Sequence, residues 1–303
     1  MNVRMIGPEA EAQLDWLALC RAIEAGHALP RAEVADTFLY RGADTLLSRA
    51  AWIDGLGQLV KTATIFPGNG AVGLPTVNGS AAVYSDGDGT LSAIVDFHLL
   101  TKWKTAGDSL CAALRLAPKG AETILIVGAG TVGRSLRAAY GAGFPGARFL
   151  VWNRTRAGAE ALAAGWPDTE VVDDLEAAVG RADIVTSATM ATEPVLRGDW
   201  LRAGQHIDLI GAYRPDMREA DDEALRRARV FVDSRETTLG HIGELKIPLE
   251  AGVLTEADVV AEYYDLPSGA FARGSEDEIT LFKNGGGAHL DLMVARYILD
   301  AVS

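Results

Sequence analysis

Three glycines, Gly128, Gly130 and Gly133, follow the apolar run Thr123-Ile-Leu-Ile-Val127 and open a helical pattern. A G-x-G-x-x-G at a strand-to-helix turn is chemistry for phosphate. Gly128 permits the tight turn, Gly130 places no side chain in the way of a pyrophosphate, and Gly133 lets the helix pack close to the sheet. The helix start at Thr131 and Val132 then offers backbone N–H groups and a partial positive charge. The next strand, Arg148–Trp152, ends in Asn153-Arg154-Thr155, about 20 residues beyond the last glycine, where the ribose-contacting group belongs. A carboxylate there would repel a 2′-phosphate, whereas an amide followed by Arg154 and Arg156 suits one. The pattern predicts a dinucleotide site with NADP(H) preferred and NAD(H) as the alternative. The competing reading makes Arg154 and Arg156 ordinary solvated charges at a helix start. Thr189 and Met190 follow a later strand, at the carboxyl end of the sheet where ligands bind in such folds, and are expected to line the cofactor.

Lys61 is a different kind of signal. It stands mid-strand in an apolar and small-residue run, Gly57-Gln-Leu-Val-Lys-Thr-Ala-Thr-Ile-Phe66. An ammonium there is costly without a partner. Asn284 and His289 flank a second glycine cluster, Gly285–Gly287, of the kind that lets backbone approach a ligand closely. A lone histidine at a helix start is more often structural than a proton donor, and Asp291 on the same helix is expected to cap or pair locally.

These residues need two kinds of scaffold. Ala10–Ala28 reads as a helix. Asp36–Arg41, Asp44–Ile53, Gly57–Phe66, Asn78–Tyr84 and Leu91–Asp96 read as strands, with Ser85-Asp-Gly-Asp-Gly-Thr90 as a hairpin turn. Leu99–Leu116 reads as a long helix that Ala117-Pro-Lys-Gly120 terminates. From Ala121 strands and helices alternate, as a parallel sheet requires, with later strands at Glu170–Asp173, Ala182–Thr186, His206–Gly211, Val230–Asp233 and Ile279–Phe282. The fold class is therefore α/β: a Rossmann dinucleotide-binding domain over 119–287 after an α+β N-terminal domain over 1–118.

Composition narrows the function. The chain has 303 residues, is 49% hydrophobic and carries a net charge of −13, which argues against nucleic acid or an anionic membrane as partner. No run is long and apolar enough to span a bilayer, the first residues show no signal-peptide core, and Cys20 and Cys111 read as small buried hydrophobes. The five histidines show no metal-ligand spacing. The expected home is the cytoplasm and the expected partner a small molecule.

Taken in order, several segments resemble the ornithine cyclodeaminase/mu-crystallin family over nearly the whole chain. They are Val60-Lys61, Pro67-Gly-Asn-Gly70 with Gly73-Leu-Pro75, Leu100-Thr-Lys-Trp-Lys104-Thr-Ala106, Val127-Gly-Ala-Gly130 and Trp152-Asn-Arg-Thr155. Thr189-Met-Ala-Thr-Glu-Pro194, Gly211-Ala-Tyr-Arg-Pro-Asp-Met-Arg-Glu219 and Val232-Asp-Ser-Arg235 complete the set. The resemblance implies a homodimer. Residues 1–118, completed by the C-terminal helix 288–303, would form the substrate-binding and dimerisation domain.

It also implies roles for single residues. Lys61 matches a lysine that faces the substrate carboxylate and the reacting centre. Lys104 stands where relatives carry a carboxylate-gripping arginine, so the charge is kept and the bidentate fork is lost. Arg31, Arg41 and Arg49 are the options for a further cation, with Arg49, on the strand before that of Lys61, the best placed, and Asn284 lies in the segment beside the cofactor ring. Tyr213 occupies the position of the aspartate that supports cyclodeamination, which leaves that reaction without its acid–base group. The resemblance thus implies an oxidoreductase that reduces a small imino acid with NADPH, a ketimine reductase acting on Δ1-pyrroline-2-carboxylate or Δ1-piperideine-2-carboxylate. Alternatives are reductive amination of a keto acid, ornithine cyclodeamination, and NADPH-linked small-molecule binding.

Overall fold

The computed structural model describes residues 3–303; Met1 and Asn2, the start of the segment read for a signal-peptide core, lie outside the described residues. The chain forms two compact units. One comprises the residues up to Lys104 together with Gly286–Ser303, and the other is Thr105–Gly285.

The first unit is a six-stranded sheet in the order β1-β6-β5-β4-β3-β2. Its strands are β1 (Arg4–Ile6), β2 (Glu33–Arg41), β3 (Asp44–Ile53), β4 (Gly57–Ile65), β5 (Val77–Tyr84) and β6 (Leu91–Asp96). All neighbours pair antiparallel except β1, which runs parallel to β6. Helix α1 (Trp16–His27) precedes β2, and α2 (Phe97–Leu116) follows β6. The helix read from Ala10 begins instead at Trp16, because Asp15 caps it by accepting from the Ala18 N–H at 2.7 Å. The residues before it form a 3₁₀ turn, Pro8–Gln13.

The second unit is an eight-stranded, wholly parallel sheet in the order β13-β12-β14-β11-β10-β7-β8-β9. Its strands are β7 (Thr123–Val127), β8 (Arg148–Trp152), β9 (Thr169–Val171), β10 (Ile184–Ser187), β11 (His206–Leu209), β12 (Ala228–Val232), β13 (Val259–Glu262) and β14 (Ile279–Lys283). Its helices after α2 are α3 (Thr131–Gly143), α4 (Arg156–Ala163), α5 (Leu175–Arg181), α6 (Asp222–Arg227), α7 (Arg235–Thr238) and α8 (Gly243–Glu250). The core strands β7, β10, β11 and β14 are buried along their whole length, as strands covered on both faces must be. The chain winds from β7 out to β9 and then restarts on the other side of β7 at β10. The carboxyl ends of β7 and β10 are thus the switch point where an open α/β sheet holds its ligand.

The last helix, α9 (Ala288–Ala301), belongs to the first unit, where it packs on α1 and on β2, β3, β4 and β5. Its buried Leu290, Met293, Val294 and Ile298 each contribute roughly 1.5–3 kcal/mol by leaving water. The sheet face beneath carries Ala51, Ile53, Leu59, Ala63, Ala81, Val83, Ala93 and Val95, all buried. The opposite face leaves Leu39, Leu46 and Trp52 exposed.

Candidate functional site

In the first unit, strand register sets the chemistry. Asp36 pairs with Arg49, Arg49 with Lys61, Lys61 with Ala81 and Ala81 with Val95, giving one transverse row across five strands on one face of the sheet. Lys61 follows the alternation of β4, whose residues 57, 59, 61 and 63 are buried. It is therefore carried inward with Leu59 and Ala63 and needs a counter-ion. Asp291 supplies it from the first turn of α9: its Oδ1 accepts from Lys61 Nζ at 2.8 Å. Asp291 does not cap or pair locally, as its position in the sequence suggested. Its Oδ2 lies 3.6 Å from an Arg49 nitrogen. Arg49 also pairs with Asp36 at 2.6 Å and donates to the Gly286 carbonyl at 2.9 Å. Lys104, buried on α2, points its ammonium at the same carbonyl, 3.4 Å away.

Three cations thus converge near one buried carboxylate, with Asp36 engaging Arg49 from the side. Burial pushes the Lys61 ammonium down to about 8, against the pull of Asp291 and together with repulsion from Lys104 and Arg49. Burial alone would raise the Asp291 carboxyl, but Lys61, Lys104 and Arg49 hold it below the usual carboxylate range. His289 is buried and sits edge-on to His27 with ring centres 5.4 Å apart. Burial, then Lys104, pushes its imidazole down to about 3, so near neutral pH it is uncharged. Arg31 is exposed ahead of β2, and its charge is felt at His289.

In the second unit the glycine loop is built for close approach. Gly128 has φ +102°, a left-handed conformation costly for other residues. A Cβ on Gly133 would lie 2.0 Å from the Gly128 carbonyl oxygen, so only glycine lets α3 begin there. A Cβ on Gly130 would meet nothing within 4 Å, which is the open space a diphosphate needs. No side chain caps α3, and Thr131 is exposed at its first turn. These features fit a dinucleotide diphosphate. Asn153 braces the loop: its Oδ1 accepts from the Ala129 N–H at 3.1 Å and its Nδ2 donates to Thr155 at 3.0 Å. Arg156 is engaged by Glu160 and Asp173. Arg154 is exposed and makes no ion pair among the described residues.

Glu219 ties together the carboxyl ends of β10 and β11. Fully buried, it accepts from Ser187 Oγ at 2.6 Å, from the Thr189 N–H and hydroxyl at 2.7 and 2.8 Å, and from the Gly211 and Ala212 N–H groups. Met190, 68% exposed, and Tyr213, 57% exposed, extend from the loops so fixed. Arg214 lies over the Tyr213 ring and pairs with Asp216 at 2.9 Å. Asn284 donates its amide to the Thr105 carbonyl and to Ser109 Oγ, each at 3.2 Å. Beside it, Gly285 is required by packing, because a Cβ there would lie 2.4 Å from Thr238 Oγ1.

The profile of the ornithine cyclodeaminase/mu-crystallin family matches residues 54–303. A Delta(1)-pyrroline-2-carboxylate reductase of Paracoccus denitrificans is 53% identical over 296 residues, 96% of this chain and 94% of that protein. The chain belongs to the ornithine cyclodeaminase/mu-crystallin family. The ketimine reductase mu-crystallin of Mus musculus, another family member, is 36% identical over 80% of this chain and 75% of its own length. Among solved structures, the Thermococcus litoralis Delta(1)-pyrroline-2-carboxylate reductase in complex with NADH and L-proline superposes with a TM-score of 0.90 at 26% identity, covering 99% of this chain and 97% of that one. An archaeal alanine dehydrogenase dimer with bound NAD has the same TM-score, 0.90, at 26% identity, over 100% and 96% of the two chains. The Rossmann-type α/β fold expected from the glycine motif is the fold of this family member.

Two participants were not singled out as such from sequence: Asp291 as the counter-ion of Lys61, and Glu219 as the anchor of the β10 and β11 loops. Asp291 carries a usable signal, since an acid on a mostly apolar helix face must meet a cation. Glu219, in a loop, carries none.

Proposed function

We propose that this protein is an oxidoreductase that reduces a small cyclic imino acid, Δ1-pyrroline-2-carboxylate or Δ1-piperideine-2-carboxylate, to proline or pipecolate with NADPH. The observation that carries this is the convergence of Lys61, Arg49 and Lys104 around the single buried carboxylate of Asp291. A cluster with surplus positive charge fits one substrate carboxylate. The names of the reductases to which the chain is similar favour a cyclic ketimine as the remainder of that molecule.

In this reading Lys61 and Lys104 grip the carboxylate, and Arg49 adds to the field that holds it. Fixing the acid group orients the adjacent imine carbon, the positioning the reaction requires. A reduced nicotinamide, when bound, supplies hydride to that carbon. The loop Gly128–Gly133, with Thr131 and Val132 at the start of α3, holds the diphosphate. Asn153 shapes the loop, and Arg154 and Thr155 face the ribose 2′-phosphate, which favours NADP(H) over NAD(H). Thr189, Met190 and Asn284 line the cofactor, while Tyr213 and Arg31 border the substrate. Tyr213 in place of an acid disfavours cyclodeamination, because Asp216, the carboxylate near it in sequence, is engaged by Arg214.

The open sheet face bearing Leu39, Leu46 and Trp52 supports assembly as a homodimer, since apolar residues in such numbers favour a protein partner. The domain roles follow: the unit up to Lys104 with Gly286–Ser303 serves substrate and dimerisation, and Thr105–Gly285 serves the cofactor. A cytoplasmic site suits the two buried cysteines, which form no disulfide.

The test is a panel of substrates with each cofactor. Cyclic ketimines are expected to oxidise NADPH. Turnover that strictly needs pyruvate with high ammonium, or ornithine without net cofactor change, would overturn the assignment.

A further inference from the structure

Helix α9 meets the sheet with a carboxylate where its other inward residues, His289 apart, are apolar. Asp291 is fully buried, and its Oδ2 receives no hydrogen bond, with an Arg49 nitrogen 3.6 Å away as its ion-pair partner. Five residues earlier, the Gly286 carbonyl accepts from both Arg49 and Lys104. Gly286 adopts φ +71°, a conformation glycine takes readily. One short stretch, 286–291, therefore engages all three cations of the cluster.

We propose that Asp291 is the positioning residue of the reduction: without touching substrate, it keeps the Lys61 ammonium charged and holds Lys61 and Arg49 oriented before the substrate carboxylate arrives. The inference rests on the imino-acid reductase reading above. Its physical basis is preorganisation, in which groups fixed beforehand need no rearrangement during reaction. Lysine and arginine brought together in a buried place repel one another unless an anion stands beside them. Asp291 offsets that repulsion once, which leaves a positive surplus for the substrate to complete.

The charged and titratable groups around Lys61 are Asp291 and His289 on α9, Lys104 on α2, Arg49 on β3, Asp36 on β2 and Arg31 ahead of it; its β5 neighbour is the uncharged Ala81. Of these, Asp291 is the acid in direct contact. A neutral residue at 291 leaves Lys61 among cations, so its proton is lost at lower pH.

The experiment compares wild type, Asp291→Asn, Asp291→Glu, Lys61→Met and the double variant Lys61→Met/Asp291→Asn. It follows kcat/KM for Δ1-pyrroline-2-carboxylate against pH, with NADPH affinity read by fluorescence. For Asp291→Asn, kcat/KM is expected to fall about 100-fold, the order seen when one partner of a buried charge pair is removed. The alkaline limb of its profile is expected to move about one pH unit toward acid, with NADPH affinity kept within a few fold. Asp291→Glu is expected to return the limb toward wild type. In the double variant, where no Lys61 ammonium is left for Asp291 to hold, the Asp291 change is expected to add little to the loss from Lys61→Met. That comparison decides the matter even if Asp291→Asn fails to fold. An active wild type with an indifferent Asp291→Asn variant, or an undiminished Asp291 effect once Lys61 is gone, overturns the positioning role alone. A wild type inactive on every ketimine overturns the functional reading and this inference with it.

Discussion

Arg49 and Lys61 stand directly opposite one another on neighbouring antiparallel strands, and one carboxylate, Asp291, lies 2.8 Å from the lysine and 3.6 Å from the arginine. Side-by-side cations on a sheet face destabilise each other. Their coexistence here depends on the helix laid across them.

Removing an ammonium from the cluster should cost substrate recognition before anything else. Lys61→Met and Lys104→Met are each expected to lower kcat/KM for the imino acid by the equivalent of about 2–5 kcal/mol, the range for truncating a buried charged contact. At about 1.4 kcal/mol per tenfold, that is roughly 30-fold to several thousandfold. NADPH affinity, followed by fluorescence titration, should change little. An equal loss of cofactor affinity would place these lysines elsewhere in the mechanism.

The same cluster sets the pH dependence. Lys61 is depressed to about 8; it is an ammonium below that pH and a neutral amine above it. Carboxylate binding should therefore weaken as pH rises through about 8. His289, pushed down to about 3, should add no titration near neutrality. A kcat/KM profile recorded from pH 6 to 10 is expected to fall on its alkaline side, and a profile level up to pH 10 would refute the role of Lys61.

In the proposed reading, cofactor choice depends on one exposed side chain, Arg154. Arg156 is already engaged by Glu160 and Asp173, which leaves Arg154 as the guanidinium for a 2′-phosphate. Arg154→Asp replaces attraction with repulsion and should shift the NADPH/NADH ratio of kcat/KM toward NADH by about tenfold or more, a difference of at least ~1.4 kcal/mol. An unchanged ratio would remove Arg154 from the ribose site.

The glycine loop makes a structural prediction. Gly133→Ala brings a Cβ within 2.0 Å of a backbone oxygen, so the start of α3 must move. Overpacking of this kind costs about 1–3 kcal/mol. Thermal unfolding should show the lower stability, and dinucleotide affinity should fall with it. A variant with wild-type melting and affinity would contradict the geometry.

Local signals carried much of this molecule. The strands β3 and β6 were legible at their observed limits, Asp44–Ile53 and Leu91–Asp96, because glycine-rich turns bound them. The strand–glycine–helix unit was legible because phosphate binding constrains residue type directly. The three-residue β1 and the four-residue β13 were not; so few residues show no period, and pairing with a neighbour makes them strands. At the cluster, the cost of an inward lysine was visible in the alternation around Lys61. Its partner was not, since Asp291 lies 230 residues away and only tertiary packing joins them. Glu219 escaped because its oxygens serve the Ser187 hydroxyl and the loops after β10 and β11, which only the folded sheet brings together.

Every role assigned above presumes that imine reduction is the net reaction. The most direct measurement mixes the purified protein with NADPH and Δ1-pyrroline-2-carboxylate, following loss of reduced cofactor and appearance of proline together. One proline is expected to form per NADPH oxidised, with activity largely abolished in Lys61→Met. No cofactor oxidation with any cyclic ketimine would contradict it.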